Sequence, residues 1–436
     1  MANYETGEPI YALATPYSPS ALAVIRASGD DVLLLFQPYF TGNLGKARSS
    51  LAVHGYIKDE NGKRIDEVMV IKYSKGHGYT SEEAFEIMCH GSLAVIREIE
   101  KVLVKAGIRE ALPGEFTYRA FMHGRMDLTE AEAVEEIVKA KTGTASGEAL
   151  ERLSGSIREE AEKAKDAILD ILASLEVELD YGEDEIPEDW IFPEEKAEAI
   201  RLRLEAIAST FKASRLWSEG ALVVIAGRTN AGKSSLYNAL LKENRAIVSP
   251  VEGTTRDYIE TDAILSGIPV RLFDTAGLRE TDEVIEKEGI RRSEELIDKA
   301  DLVIYVIDPS SGDLPPEGKK ILPVYSRQDL SPSSSGLSFS SVTGEGIGNV
   351  LEAVRERLTE DLDCTQGVPR IDSERQRDKL LEAADALVDA QKSLAFGADV
   401  TAMYLQSALT ALGELTGSVT GDDVLDRLFS SFCLGK

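Results

Sequence analysis

The spacing of apolar residues changes along the chain, and the changes divide it into segments. Through about residue 118, strand-like stretches at Pro9 to Ala14, Ala21 to Ile25 and Glu67 to Tyr73 stand beside a helical stretch near Leu93 to Ala106, a mixture that predicts an α+β domain. Thr129-Glu-Ala-Glu132 reads as a capping box that opens a long helical region. Within it Ile168, Leu172, Leu175 and Leu179 recur at helical spacing, so that face is packing surface. A second helical run follows Pro193 and ends near Trp217. The pattern then turns to short apolar runs, Ala221 to Ala226, Val270 to Phe273 and Asp301 to Ile307, with an amphipathic helix from Ser235 to Leu241 after the first. After Pro369 helical spacing returns, with Leu380, Ala384 and Leu387 on one face. The expected organisation is therefore multi-domain α/β: an N-terminal α+β domain over 1–118, a discontinuous all-helical domain over 119–217 and 369–436, and a doubly wound sheet domain inserted over 218–368.

The inserted segment carries the chemistry. Gly227-Arg-Thr-Asn-Ala-Gly232-Lys233-Ser234 fits G-x-x-x-x-G-K-[ST] and lies between a predicted strand and a predicted helix, the context that this pattern requires. Glycines let the backbone turn several N–H groups toward phosphates, Lys233 can reach the β- and γ-phosphates, and the Ser234 hydroxyl can bind Mg²⁺. Gly253-Thr254-Thr255-Arg256-Asp257 follows, and Asp274-Thr-Ala-Gly277 then closes an apolar run. That order is a GTPase's: a Thr that ligands Mg²⁺ beside the γ-phosphate, then an Asp for the metal shell and a Gly N–H for the γ-phosphate.

The base-reading elements depart from the usual form. Where GTPases carry Asn-Lys-x-Asp, this chain has Ser326-Arg327-Gln328-Asp329. Asp329 can accept hydrogen bonds from the guanine N1–H and exocyclic amine, but the Asn side chain is absent, so guanine selectivity should be weakened and not abolished. Ser340-Ser341-Val342 stands where a backbone N–H would meet the guanine oxygen. Ser326 follows Asp308 closely, with Pro315, Pro316 and Pro323 between them, which predicts a shortened or missing helix.

Composition narrows the setting. A length of 436 residues suits about three domains. Cys89, Cys364 and Cys433 are too few and too scattered for a disulfide framework or a zinc site, which points to a reducing, cytoplasmic compartment. Met1 to Pro9 lacks the pattern of a secretory leader, and no apolar run approaches a membrane span. A net charge of −28, dense around 180–188, argues against general attraction to DNA or RNA, so any RNA contact must be local or shared with a more basic partner.

The whole chain resembles the MnmE (TrmE) family of tRNA-modification GTPases, in the TrmE-Era-EngA-like group. The resemblance rests on Leu22-Ala-Val-Ile-Arg26-Ala-Ser-Gly29, Tyr79 to Gly91, Pro113 to Phe121, Arg125 to Ala133, the P-loop, and the terminus Phe432-Cys433-Leu434-Gly435-Lys436. It implies an N-terminal dimerisation domain that binds a one-carbon tetrahydrofolate of the 5-formyltetrahydrofolate kind, and an inserted Ras-like GTPase domain. It also implies a homodimer that works with the flavoprotein MnmG on C5 of the wobble uridine of certain tRNAs, a carboxymethylaminomethyl-type modification.

By similarity, GTP as substrate would contact Asn230, Ala231, Gly232, Lys233, Ser234 and Ser235, then Ser249, Pro250, Val251, Glu252, Gly253, Thr254 and Thr255. Asp274, Thr275, Ala276, Gly277, Ser326, Asp329, Ser340, Ser341 and Val342 complete that set. Mg²⁺ would be held by Ser234 and Thr255, and K⁺ by Asn230, Ser249, Val251 and Thr254, while Glu286 would position the attacking water. Folate would draw on Arg26, Glu86, Arg125 and Lys436, with Arg125 replacing a more usual lysine, and Cys433 is a candidate for modification chemistry. Two other readings stay open: a regulatory switch that binds RNA or ribosomes without doing chemistry, and a folate-binding modification subunit whose GTPase domain is impaired.

Overall fold

The structure is a computed structural model that describes residues 4–180, 192–243, 259–274, 296–318, 320–330, 336–360, 362, 367–433 and 435. The chain divides into two compact units, one of Met1–Glu135, Arg152–Leu202 and Lys379–Lys436, the other of Glu136–Glu151 and Arg203–Asp378.

The first unit is built on a six-stranded sheet of β1 (Ile10–Leu13), β2 (Ser20–Ser28), β3 (Ala52–Lys58), β4 (Arg64–Tyr73), β5 (Ala84–Gly91) and β6 (Arg109–Glu110), in the order β3-β4-β5-β2-β1-β6. Pairing is antiparallel except between β1 and β6. Strand alternation decides the faces. Ala23, Ile25 and Ala27 of β2 enter a core with Phe85, Ile87 and the helix Leu93–Lys105, which contributes Ile96, Ile99, Val102 and Leu103 at helical spacing. The intervening Val24 and Arg26 face the other way. That helix stops at Gly107, whose φ of 86° lets the Ile108 N–H return to the Leu103 carbonyl at 3.0 Å, a closure that an L side chain would resist.

The helical part of the unit pairs Ser156–Asp180 with Ala398–Thr416. Ile168, Leu172 and Leu175 are buried, as their spacing predicts, and the Leu179 side chain lies outside the described residues. The capping box is not at Thr129-Glu132. The helix Leu128–Lys139 starts earlier, and Asp127 caps it: its Oδ1 accepts the Glu130 N–H at 2.8 Å, while Glu130 Oε2 accepts the Asp127 N–H at 2.8 Å. Leu128 is fully buried and must begin the helix to reach the core, so Thr129 falls inside and gives its hydroxyl to Asp127 at 2.8 Å. Aspartate caps as well as threonine does, and Glu130 three residues on completes the box.

The second unit holds a five-stranded sheet of β7 (Ala221–Ala226), β8 (Ile259–Leu265), β9 (Ile268–Asp274), β10 (Leu302–Ile307) and β11 (Ile321–Tyr325), in the order β11-β10-β7-β9-β8. All pairs are parallel except the β8–β9 hairpin, which turns on Ser266 (φ 48°) and Gly267 (φ 86°). Both faces are covered, so the strands read as continuous apolar runs: Val223 and Ile225 pack with Leu236, Leu240 and Val350, and Val224 and Ala226 with Ala300 and Val303. The connector from β10 to β11 contains no helix among its described residues, as the proline spacing predicts. Pro323 sits in β11 at the sheet edge, where its missing N–H costs no ladder bond to a named strand. No described helix is long and apolar enough to cross a membrane.

Candidate nucleotide site and a second polar cavity

The phosphate loop leaves the carboxyl end of β7. Gly227 (φ 139°) runs so close to the next strand that a Cβ there would lie 2.3 Å from the Val306 carbonyl oxygen, and Asn230 (φ 62°) and Gly232 (φ 103°) are also left-handed. These turns aim the loop toward the N-terminus of the helix Lys233–Glu243, which favours an anion. Lys233 is buried in the loop, its Nζ donating to the carbonyls of Gly227 at 2.9 Å and Arg228 at 2.8 Å. Ser234 Oγ donates to Asp274 Oδ2 at 2.8 Å. The parallel register that sets Ile225 opposite Asp274 puts the end of β9 beside the end of β7, from which the loop leads to Ser234 at the start of the helix Lys233–Glu243. A hydroxyl and a buried carboxylate beside an ammonium form a donor set suited to a hard divalent cation and the phosphates it would accompany.

On the base side, Ser326 is buried, and both its N–H (2.9 Å) and its Oγ (3.3 Å) donate to the Ile307 carbonyl. A Cβ on Gly232 would lie 3.2 Å from Ser326 Cβ, so this loop touches the phosphate loop directly. Arg327 stands at φ 57°, with Nη1 2.8 Å from Asp308 Oδ2 and Nη2 3.5 Å from the Asn230 carbonyl. The Gln328 N–H donates to the Phe339 carbonyl at 3.1 Å, which ties the loop to the next one, and Asp329 is exposed at its end. Ser340 is buried and its Oγ accepts the N–H groups of Val342 (3.3 Å) and Thr343 (3.2 Å), leaving Ser341 and Val342 exposed.

A separate cavity of about 280 Å³ opens on the second face of the N-terminal sheet, lined by Arg26, Glu86 and Arg125 together with Tyr73, Tyr79 and Phe116. Strand register builds it: Arg26 of β2 is directly opposite Glu86 of β5. Arg26 Nη2 lies 3.3 Å from Glu86 Oε1, and Tyr73 donates to Glu86 Oε2 at 3.3 Å. The guanidinium sits 5.6 Å from the Tyr79 ring and 5.7 Å from the Phe116 ring, and its Nη1 donates to the Gly435 carbonyl at 3.2 Å. Arg26 Nε is buried without a hydrogen-bond partner. Burial pushes the Tyr79 phenol up, against the opposing pull of its bond with Thr117 and of Arg26 and Arg125.

Beneath the cavity Arg119, fully buried, donates to Glu82 Oε2 at 3.0 Å and to Glu115 Oε1 at 2.8 Å, while Ser28, on the cavity wall, donates to the same Glu82 oxygen at 2.7 Å. Burial works to raise the Glu115 carboxyl, but hydrogen bonds from Arg109, the Leu112 N–H and Arg119 outweigh it and hold the group below the usual carboxylate range.

A phosphate loop at the carboxyl edge of a mostly parallel sheet, with the neighbouring strand β9 delivering an aspartate to its serine, defines a P-loop protein of the GTPase class. A family model described as the MnmE helical domain matches residues 128–433, and one described as the GTP-binding protein TrmE N-terminus matches residues 9–125. The tRNA modification GTPase MnmE of Treponema denticola is 38% identical over 470 residues, covering 100% of both chains. That of Thermus thermophilus is 38% identical over 440 residues, covering 98% of this chain and 99% of its own. Among solved structures, the G domain of the T. maritima FeoB iron transporter is 28% identical, with 32% of this chain and 97% of that one covered and a TM-score of 0.23. The chain belongs to the MnmE family of tRNA modification GTPases.

The structure brings together Asn230, Ala231, Gly232, Lys233, Ser234, Ser235 and Asp274 at the phosphate loop, and Arg26, Glu86 and Arg125 at the cavity. Ser249, Pro250, Val251, Glu252, Gly253, Thr254, Thr255, Thr275, Ala276, Gly277, Glu286 and Lys436 lie outside the described residues. Cys433 is an exposed thiol. The sequence did not mark Tyr73, Tyr79 and Phe116 as cavity residues, although Tyr79 and Phe116 fall inside the motifs singled out above; Tyr73 comes from β4, Tyr79 from the connection between β4 and β5, and Phe116 from the helix Glu115–Met122, so only the tertiary fold brings them together.

Proposed function

We propose that this protein hydrolyses GTP and couples hydrolysis to tRNA modification. The observation that carries the reading is the meeting of Lys233, Ser234 and Asp274 at the ends of β7 and β9. Hydrolysis forms a bond from a water oxygen to the γ-phosphorus and breaks the bond to the β–γ bridging oxygen. Lys233 exchanges its loop carbonyls for phosphate oxygens and faces the charge of the leaving group, while the backbone N–H groups of 230–234 hold the remaining oxygens. Glu286 accepts a hydrogen bond from the attacking water and orients it. Mg²⁺ held by Ser234 and Thr255, and K⁺ held by Asn230, Ser249, Val251 and Thr254, would supply positive charge against the γ-phosphate.

In the same reading the cavity holds a one-carbon tetrahydrofolate. Arg26 and Arg125 suit the ligand's carboxylates, and Glu86 suits the N–H donors of the pterin. The buried, unpartnered Arg26 Nε fits a site that awaits an acceptor. The bound folate would supply the one-carbon unit. The protein then acts in the cytoplasm as a homodimer, with the flavoprotein MnmG, on the wobble uridine of tRNA.

The test is GTP hydrolysis by purified protein in K⁺ and in Na⁺ salts, with tetrahydrofolate binding measured by calorimetry. Faster hydrolysis in K⁺, flattened by Asn230→Ala with nucleotide binding spared, is the expected result. Equal rates in the two salts overturn the cation assignment, and absence of hydrolysis in both overturns the GTPase reading. Failure to bind folate overturns the cavity assignment alone.

A further inference from the structure

In the GTP-binding reading, Asp329 recognises the base from the exposed end of a loop that the Gln328 N–H ties to the Phe339 carbonyl. Ser326, at the position where an asparagine would brace that loop, spends its hydroxyl on the Ile307 carbonyl of its own neighbourhood. The adjacent residue makes the longer reach. Arg327 adopts φ 57°, a conformation costly for a residue with a Cβ, and the turn sends its guanidinium back over the phosphate loop. There it meets the Asp308 carboxylate at 2.8 Å and the Asn230 carbonyl at 3.5 Å.

Asp308 is itself fixed. Its Oδ1 accepts the Ser310 N–H at 3.0 Å and the Ser310 hydroxyl at 2.7 Å, so its second oxygen is presented to Arg327 from a set position. Five residues on, Asp313 meets Arg228 of the phosphate loop at 2.7 Å. The helix-free connector after β10 thus offers two carboxylates, one to the phosphate loop and one to the base loop.

We propose that Arg327 is a specificity-positioning residue: clamped between Asp308 and the Asn230 carbonyl, it holds Asp329 in register with the phosphate loop and replaces the bracing that Ser326 cannot give. The proposal rests on the GTP-binding reading and adds to it a role for Arg327 and Asp308. The ion pair is half in solvent, which limits its strength, so the expected effects are several-fold and weaken in high salt.

Two roles for Arg327 predict opposite signs. If the arginine served only to attract phosphates, neutralising its partner in Asp308→Asn would leave nucleotide affinity unchanged or raise it. If it positions the base loop, Asp308→Asn and Arg327→Ala weaken binding alike. Calorimetric titration of the full chain with GDP and with inosine diphosphate, which lacks the amine that Asp329 reads, separates them. Each variant is expected to lower GDP affinity about fivefold and inosine diphosphate affinity less. The preference for guanine narrows, and the double variant does no more than either single one. An Asp308→Asn variant that binds GDP as well as or better than the unmodified chain, or variants that keep the full preference for GDP over inosine diphosphate, overturn the proposal. An unmodified chain with no guanine preference overturns it together with the reading that it rests on.

Discussion

Gly227 shows how little freedom single positions have around the phosphate loop. A methyl group there would have to displace the β10 backbone, because it would stand 2.3 Å from the Val306 carbonyl at a φ of 139°. Gly227→Ala is therefore expected to abolish measurable GDP binding by calorimetry while leaving the N-terminal cavity's ligand binding intact. At the base loop, Ser326→Asn is expected to tighten GDP binding by about 1 kcal/mol if one net hydrogen bond is gained, and Asp329→Asn to shift preference from guanine to xanthine nucleotides; an intact guanine preference in the second variant means that Asp329 does not read the base. Glu115 is a different kind of residue, structural and charged in a fully buried place. Its pKa is held down in the folded protein, so its contribution to stability is fully present above the unfolded carboxyl's value of about 4.3 and is lost as pH falls through the folded value. Glu115→Gln removes one of the two carboxylates that meet the buried Arg119 and leaves Glu82, at an expected cost of about 1.5–3 kcal/mol in urea unfolding at pH 7. The gap between variant and unmodified protein should close as pH falls below about 4.

Among the elements, the helix Leu128–Lys139 poses the sharpest question, because its cap lies on an aspartate that burial forces toward the neutral form. Burial pushes the Asp127 carboxyl up, against the hydrogen bonds from Glu130 and Thr129 that hold it down. A raised carboxyl costs stability above its folded pKa, and the cost is relieved as pH falls below it. An asparagine at this position would keep the capping oxygen without the charge. Asp127→Asn is therefore expected to unfold within about 0.5 kcal/mol of the unmodified protein at pH 7, whereas Asp127→Ala, which loses the acceptor, loses about 1 kcal/mol. Equal losses in the two variants would show that the charge and not the cap matters. The β10–β11 connector makes a complementary point: with no helix among its described residues, it presents Asp308 and Asp313 to the nucleotide loops.

At the scale of the whole molecule the two units carry separate cores and separate candidate sites, the cavity in one and the phosphate loop in the other. A ligand stabilises the state that binds it, by about 2.7 kcal/mol at a hundredfold excess over its dissociation constant. Calorimetric unfolding is expected to show two transitions, with GDP raising one and tetrahydrofolate the other. A single transition moved equally by both ligands would show that the units fold as one. The acidity of the chain, −28 overall, also means that tRNA affinity must come from local contacts or a partner's basic surface.

What the sequence determined by itself was whatever depends on residues near one another along the chain. The phosphate loop could be read because its turns demand glycine at fixed spacing, and β7 because a strand covered on both faces is a continuous apolar run. The buried stripe Ile168, Leu172 and Leu175 followed from helical period alone. Even the lack of a helix among the described residues after Asp308 was legible from proline spacing. Tertiary structure decided what pairing and competition set. Only strand register could place Arg26 against Glu86 and bring Tyr73 to the same cavity. Only core packing could choose Asp127 over Thr129 as the cap, since both satisfy the local rule and burial of Leu128 breaks the tie. The clamp on Arg327 was equally out of reach, because an ion pair between residues 308 and 327 depends on a left-handed turn and on two adjacent strand ends meeting in space.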